Sequence, residues 1–286
     1  MRILKRTKQN KEYYYLHHSF RKQGKVITKE RYLGKKIPLN IEDIKNKFLE
    51  ECNKASLFEL FDAIKNRFQK EWQRYPKSVK EKLKEQIAIA FTYNTNAIEG
   101  STITLEETRE LIEHKIAPNK PLKDIKETES HVKVFLDMLE KKERLDNKLI
   151  LKWHELLFRN TKQDIAGKFR DYLVRVGDYI APDWQDVKPL MKGLIEFYNK
   201  NKNMNVVELA ARIHYKFEMI HPFGDGNGRI GRLIMNYILW HNKYPMLITE
   251  YKKRKSYYKA LQKDENKFFN YFSRRYLKMH KKYLKE

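Results

Sequence analysis

Cysteine is almost absent from this sequence, which holds one, Cys52, among 286 residues. A single cysteine cannot build a disulfide framework or a cysteine-based zinc site. Long apolar runs are also missing, since none approaches the roughly 20 residues of a membrane span. The basic, aromatic N-terminus contains no signal-like apolar core. We therefore expect an intracellular, cytoplasmic protein that does not cross a membrane.

Acidic residues are scarce relative to basic ones, 37 against 61, and the net charge is +24. The excess lies at the ends of the chain. Residues 1–40 hold twelve Lys and Arg against two Glu, and residues 251–286 hold thirteen against three acidic residues. Basic, tyrosine-rich segments favour an acidic partner or nucleic acid. Simple solvation of a lysine-rich chain is the other explanation.

Most of the chain has apolar residues at three- and four-residue steps, which predicts a mainly helical fold. Two helices are expected between Asn40 and Pro76, and further helices lie near residues 78–95, 125–140, 148–159 and 186–200. His154 lies on an apolar helix face and is interpreted as a core histidine. Two hairpins are expected: one over residues 12–33 turning near Gly24, and one over Tyr172–Ile180 turning at Gly177-Asp178.

A loop separates two core helices whose apolar stripes run from Val206 to Ile220 and from Ile230 to Trp240. Pro222 and three glycines within this loop prevent either helix from continuing through it. Gly226 and Gly228 tolerate positive φ, so successive backbone N–H groups can turn towards one point. Such a nest at a helix N-terminus is an anion site.

The loop's side chains predict chemistry at a phosphate. Arg229 and Arg232 are three residues apart, so both can fork onto phosphate oxygens from one helix face. Asp225 is a hard oxygen ligand suited to Mg²⁺, and His221 can take a proton near neutral pH. A calcium loop is excluded because Ile230 occupies the position that needs Gly. A Walker-type phosphate loop is excluded because no Gly-Lys-Ser/Thr follows the glycines.

Residues 221–232 read His-Pro-Phe-Gly-Asp-Gly-Asn-Gly-Arg-Ile-Gly-Arg, which resembles the Fic family signature at every defined position. Members of that family mostly transfer AMP from ATP to a hydroxyl side chain of a target protein. The resemblance implies a helical Fic core, His221 as the catalytic base and Asp225 as the Mg²⁺ ligand. It assigns ATP binding to Gly224, Gly226, Asn227, Gly228, Arg229 and Arg232.

Two further segments are similar to parts of the family. Val174, Arg175, Val176 and Gly177 match the flap that runs over the bound nucleotide and docks the target. The segment around Tyr257-Tyr258 resembles the helix that closes the nucleotide pocket, with Tyr258 as the base contact; core packing is the alternative for this tyrosine.

Thr95-Asn96-Ala97-Ile98-Glu99-Gly100 resembles the family's inhibitory motif. The resemblance implies that Glu99, with Thr95, pairs with Arg232 and occupies the fork that the ATP γ-phosphate needs. The alternative is an ordinary helix end, with Gly100 as its C-terminal stop.

The resemblance covers about residues 95–270. We therefore predict four parts: a basic β-hairpin module over 1–39, N-terminal helices over 40–94, a Fic core with inhibitory motif and flap over 95–270, and a basic helical tail over 271–286. The expected function is ATP-dependent protein adenylyltransferase, with a possible homodimer. The alternatives are removal of AMP or transfer of another phosphate-linked group by the same site, and a nucleic-acid-binding protein with a passenger Fic core.

Overall fold

A computed structural model describes residues 1–22, 25–177 and 179–284. Helices predominate in these ranges, as predicted, and none of the described helices is apolar over a length that would cross a membrane. The chain divides into two compact units, Met1–Ala63 and Ile64–Glu286. The helices are α1 (Ile41–Arg74), α2 (Lys77–Ile98), α3 (Leu105–Arg109), α4 (Leu122–Glu140), α5 (Asn147–Phe158), α6 (Val187–Lys200), α7 (Val206–Ile220), α8 (Asn227–His241), α9 (Arg254–Leu261) and α10 (Glu265–Met279).

The first unit begins with an antiparallel sheet in the order β1-β2-β3. The predicted hairpin is confirmed as β2 (Lys11–Lys22) and β3 (Lys25–Gly34), while its turn at Gly24 lies outside the described residues. The prediction missed β1 (Arg2–Lys8). The connection from β1 to β2 uses Gln9 and Asn10 at φ 48° and 56°. Two consecutive residues with positive φ match the twist of a tight hairpin, but Gln-Asn lacks the glycine that usually marks one.

One face of this sheet builds the core of the first unit. Leu16 on β2 is fully buried and packs with Phe48 and Cys52 of α1. Ile3, Phe20, Leu33, Ile41 and Ile44 pack around this cluster. The lone cysteine is therefore a buried apolar residue of this core.

The two helices predicted between Asn40 and Pro76 are a single helix, α1. No Gly or Pro interrupts residues 41–74, so nothing in the backbone forces a break. The apolar stripe changes phase because Phe48 and Cys52 are buried in the first unit, whereas Phe68 is buried in the second. The change in the phase of the apolar stripe was therefore interpreted as a boundary between two helices.

In the second unit, α8 is the central helix. Its residues from Asn227 to Leu239 are all buried, as expected for a helix that is covered on every side. It packs against α2, α4, α5 and α7, and α7 also packs against α6 and α10. The loop between α7 and α8 is consequently surrounded by the elements that can bring side chains to it.

The second predicted hairpin is also present. It consists of β4 (Arg175–Val176) and β5 (Tyr179–Ile180), with Arg175 opposite Ile180. Val176 and Ile180 are exposed. Gly177 at the turn has φ 60°, and Asp178 lies outside the described residues.

The predicted boundaries after residues 94 and 270 fall inside α2 and α10, respectively. Phe272 and Tyr276 of α10 are buried, so the helix is packed on both sides of residue 270. The four-part division stays a prediction.

Candidate active site

His221 ends α7 in a left-handed conformation, with φ 50° and ψ 60°. Non-glycine residues rarely adopt positive φ, and here Arg170 helps hold the turn. Its Nε donates to the His221 carbonyl at 2.8 Å, and its backbone N–H donates to the Pro222 carbonyl at 2.9 Å. The same guanidinium donates to the carbonyls of Tyr172 at 2.8 Å and Pro182 at 2.6 Å. Arg170 therefore ties the loop to both ends of the flap segment.

Asn227 fixes the other side of the loop. Its Oδ1 accepts from the Phe223 N–H at 2.8 Å, and its Nδ2 donates to the Phe223 carbonyl at 2.7 Å. Asn227 was predicted to hold phosphate, but its side chain is buried and both ends of its amide are engaged. The side chain is therefore a clamp on the loop, and its backbone N–H is the group that points out of the helix N-terminus.

His154 is a buried core histidine, as predicted, but it also supports the loop. Its ring stacks on Phe223 with a centroid distance of 3.8 Å. The Gly167 N–H donates to Nδ1 at 3.0 Å, which leaves Nε2 as the N–H donor to the Asp225 carbonyl at 3.1 Å. Burial lowers the pKa of His154 to about 4, so this neutral tautomer persists at neutral pH.

Four charged side chains meet beside α8. Lys162 pairs with the Asp225 carboxylate and lies 3.5 Å from Glu127 Oε1. Arg229 pairs with Glu127 and lies 3.3 Å from Asp225 Oδ1. The Arg229 guanidinium also lies 4.6 Å from the centre of the Phe158 ring. The sequence interpretation missed Lys162 and Glu127, because they come from a loop and a helix far from the signature in sequence.

Arg232 is fully buried beneath the helix N-terminus and is bound by the end of α2. Its Nε donates to Thr95 Oγ1 at 2.6 Å, and one Nη donates to Glu99 Oε1 at 2.6 Å and to the Thr95 carbonyl at 3.2 Å. Gly228 makes this approach possible, since a Cβ there would lie 2.2 Å from Glu99 Oε1. The structure thus brings together Thr95, Glu99 and Arg232.

Arg229 and Arg232, in the first turns of α8, each keep one unpaired buried donor. Among the described residues, no hydrogen-bond partner is found for Nη1 of Arg232 or Nε of Arg229. An unpaired buried donor costs about 1–3 kcal/mol, and the two lie next to a helix N-terminus whose first amides have no carbonyl partner within the helix. This arrangement favours a bound anion.

The protonation states suit this chemistry. Burial lowers the pKa of His221, so its imidazole is neutral and can accept a proton. Burial alone would lower the pKa of Arg232, but Glu99 and the other acidic groups around it together raise that pKa. Behind Arg232, burial raises the pKa of Glu218 to about 8, so this carboxyl group is protonated at neutral pH.

A polar cavity of about 120 Å³ lies between Glu99, Lys162, Asp225 and Arg229. Small-molecule sites usually measure about 300–1,000 Å³, so this cavity is smaller than a typical ligand site, and Glu99 is one of the residues that line it. The described residues form no cluster of three or more His, Cys, Asp or Glu able to hold a metal. A single carboxylate such as Asp225 is sufficient for Mg²⁺, because proteins usually hold this ion with one or two carboxylates together with phosphate oxygens. Burial would raise its pKa, but Arg229 and Lys162 lower it, so it remains a carboxylate.

The flap and Tyr258 of α9, which are predicted to contact nucleotide, have protein partners around the loop. Tyr258 donates to the Ile98 carbonyl at 3.2 Å, so it contacts the end of α2. The flap is joined to the site by Tyr179, which donates to the Met219 carbonyl at 2.6 Å. Tyr172, just before β4, also lies close to the loop: if Gly224 had a Cβ, that atom would lie 1.9 Å from Tyr172 Oη. Val174 of this segment accepts a hydrogen bond from the Ala181 N–H at 3.1 Å, which closes the base of the hairpin.

The fold and the site together define a helical domain in which a neutral histidine lies beside a helix N-terminus that carries two arginines. Residues 144–239 match the model of the Fic/DOC family. This part of the chain is therefore similar to the Fic/DOC domain family.

Relatives and solved structures agree with this family. The protein adenylyltransferase Fic of Nematostella vectensis is 34% identical over 176 residues, which cover 59% of this chain and 41% of that protein. A protein of the same name from Drosophila mojavensis is 29% identical over 259 residues, covering 84% of this chain and 50% of that protein. The chain thus spans half the length or less of these relatives. Fic-1 from C. elegans has the same fold, with a TM-score of 0.70 at 24% identity, covering 86% of this chain and 77% of that chain.

Proposed function

We propose that this chain is an ATP-dependent protein adenylyltransferase that moves AMP to a Ser, Thr or Tyr hydroxyl of a target protein. The observation that carries the proposal is a neutral, partly exposed His221 beside the N-terminus of α8, where two arginines keep unpaired donors. Relatives named protein adenylyltransferase support the same reaction.

In the proposed reaction, His221 removes the proton from the target hydroxyl. The resulting oxygen attacks the α-phosphate of ATP, and the bond from that phosphate to the bridging oxygen breaks, so pyrophosphate leaves. Backbone amides of residues 226–228 and the guanidinium of Arg229 stabilise the charge that develops on the phosphates. Arg170, Asn227 and His154 hold the loop so that these groups remain aligned.

Mg²⁺ would be held by Asp225 and phosphate oxygens, and would supply positive charge against the phosphates. The carboxylate of Asp225 also pairs with Lys162. We therefore expect Lys162 to move, or to share Asp225, when nucleotide and metal bind.

The same proposal includes autoinhibition by Glu99. Its carboxylate accepts a hydrogen bond from one Nη of Arg232 and lies next to Gly228. In the active site the γ-phosphate of ATP would instead bind the guanidinium of Arg232 at this position. Tyr258, hydrogen-bonded to the end of α2, supports this closed arrangement. Activation then requires the carboxylate to leave Arg232.

The target would dock at the exposed flap. Strand addition to β4 or β5 would hold a peptide by its backbone and bring its hydroxyl to His221. The exposed side chains of Val176 and Ile180 offer apolar contact there.

Transfer of label from α-³²P-ATP to protein tests the proposed activity. The Glu99→Gly variant should become labelled, alone or with cell lysate, and Glu99→Gly/His221→Ala should not. Equal ATP binding by both variants would show that the histidine acts in chemistry, because it lies outside the phosphate cradle. Absence of label from a variant that binds ATP would refute the adenylyltransferase proposal. Loss of AMP from a modified protein would instead favour the reverse reaction.

A further inference from the structure

The face of the N-terminal sheet opposite the core of the first unit has no part in the proposed reaction. The strand register places Tyr13 opposite Arg6, and Tyr15 opposite Tyr32, on this face. Lys8 and Lys11 lie opposite each other at its end. We call these six residues the tyrosine face. Leu16, on the other face, is the residue that the core buries.

The three tyrosines form one exposed cluster. The ring of Tyr32 lies 6.2 Å from that of Tyr13 and 5.2 Å from that of Tyr15, between ring centres. The Arg6 guanidinium lies 4.9 Å from the centre of the Tyr15 ring. Tyr32 is 53% exposed, and Tyr13 and Tyr15 are partly exposed. The cluster therefore offers aromatic surface that the core of the unit does not use.

The charge around these rings is positive. Arg6, Lys8 and Lys11 are exposed. On the same side of the sheet, Glu30 is the one acidic residue among those described, and it pairs with Arg6 at 2.7 Å. Glu12 points to the opposite face, where it pairs with Lys5. The tyrosine face thus keeps a net positive charge beside its aromatic surface.

Flat rings combined with cations match one class of partner better than others. Bases stack on aromatic side chains of a sheet, and phosphates bind the neighbouring cations. An acidic polypeptide would satisfy the cations and leave the rings unused. A duplex keeps its bases stacked inside, so its bases could not reach the rings.

We infer that the tyrosine face binds single-stranded nucleic acid. Tyr13, Tyr15 and Tyr32 stack on bases, and Arg6, Lys8 and Lys11 contact phosphates. The inference does not depend on adenylyl transfer, and the His221→Ala variant should bind nucleic acid as the unaltered chain does.

Fluorescence anisotropy of a labelled single strand of about 12 nucleotides, within the usual site size of such proteins, tests this inference with the full chain. Tyr32→Val keeps a residue that favours strands but removes the ring, and should raise Kd by about 5- to 150-fold, the usual effect of removing one stacked ring. Tyr32→Phe, which keeps the ring, should change Kd little. Equal weakening by both variants, or no change in either, would overturn the stacking role.

Charge-matched variants separate this face from general attraction by a basic protein. Arg6→Gln/Lys8→Gln should reduce the slope of log Kd against log salt by about 0.7 for each phosphate that the variant no longer neutralises. Lys259→Gln/Lys263→Gln removes the same charge from an exposed groove between α9 and α10 and should leave that slope nearly unchanged. Equal effects of the two pairs would overturn the inference, as would equally tight binding of a duplex or of polyglutamate. Circular dichroism would show whether Tyr32→Val folds. If it does not, the comparison of the two double variants still tests whether the tyrosine face binds single-stranded nucleic acid.

Discussion

Replacing Glu99 by glycine should free one Nη of Arg232 for ATP and activate the site. The carboxylate is the charged partner of Arg232, while Thr95 supplies the two other contacts. Glu99→Gly therefore leaves Arg232 bound in place and removes the group that lies in the space above Gly228.

The size of the effect follows from the 2.6 Å contact between Glu99 and Arg232. Hydrogen bonds to charged groups contribute about 1.5–3 kcal/mol, and Arg232 is shielded from water because it is only 1% exposed. This free energy corresponds to about 10- to 150-fold in the population of the open site. ATP affinity should rise by a similar factor, because ATP binds the open state.

Isothermal titration calorimetry with a non-hydrolysable ATP analogue measures this change without requiring catalysis. Glu99→Gln keeps the side-chain length and a neutral hydrogen bond, worth about 0.5–1.5 kcal/mol, so its affinity should lie between those of the unaltered chain and Glu99→Gly. Arg232→Ala should not gain affinity, since it loses a phosphate ligand together with the lock. If Glu99→Gly binds the analogue no more tightly than the unaltered chain, Glu99 is only a helix end.

Four further predictions concern pH and the supports of the loop. Because the pKa of His221 is lowered, kcat/KM for transfer should stay level from pH 8 down to about pH 6.5, the ordinary pKa of histidine. It should fall only below about pH 6.5, and a midpoint above pH 7 would exclude His221 as the base. Glu218 keeps its proton up to about pH 8 when folded but loses it near 4.5 when unfolded, so stability should decline as pH rises between these values, by up to about 1.4 kcal/mol per pH unit. Urea unfolding of Glu218→Gln should lack that decline, and parallel curves for variant and unaltered chain would show that Glu218 does not titrate this way. Arg170→Met should lower the free energy of unfolding by at least about 2 kcal/mol and reduce transfer more than ATP affinity; an unchanged kcat would mean that Arg170 does not align His221. Asn227→Asp keeps the acceptor for the Phe223 N–H but loses the donor to the Phe223 carbonyl, so it should weaken ATP binding measured by calorimetry. The control Asn242→Asp, at the far end of α8, should leave ATP binding unchanged.

Local signals in the sequence were sufficient for the site's central loop and for most of the helices. Pro222 and the glycines around Asp225 identify the loop because backbone conformation limits which residues can occupy it. The apolar periodicity located α4, α5 and α6 to within a few residues. The Glu99–Arg232 contact joins residues 133 apart in sequence and followed from family resemblance, since no local pattern specifies it.

The missing parts depend on tertiary contacts. Arg170, Lys162 and Glu127 are ordinary charged residues in the sequence, and only the packing of α4, α5 and α8 brings them to the loop. The sequence did not reveal the contacts of the Asn227 amide with the Phe223 backbone, because an amide can bind either a phosphate or a backbone; phosphate binding by Asn227 stays a prediction. The single helix α1 was interpreted as two, since its stripe follows two different cores.

Intact-protein mass spectrometry of the Glu99→Gly variant after incubation with ATP and Mg²⁺ tests the central claim most directly. We expect the variant, or a target protein added with it, to gain the mass of one adenylyl group, the unaltered chain to produce at least about 10-fold less of the modified species, and Glu99→Gly/His221→Ala to produce none. A variant that binds ATP but yields no adenylylated protein, or a double variant that yields as much as Glu99→Gly, would contradict the account.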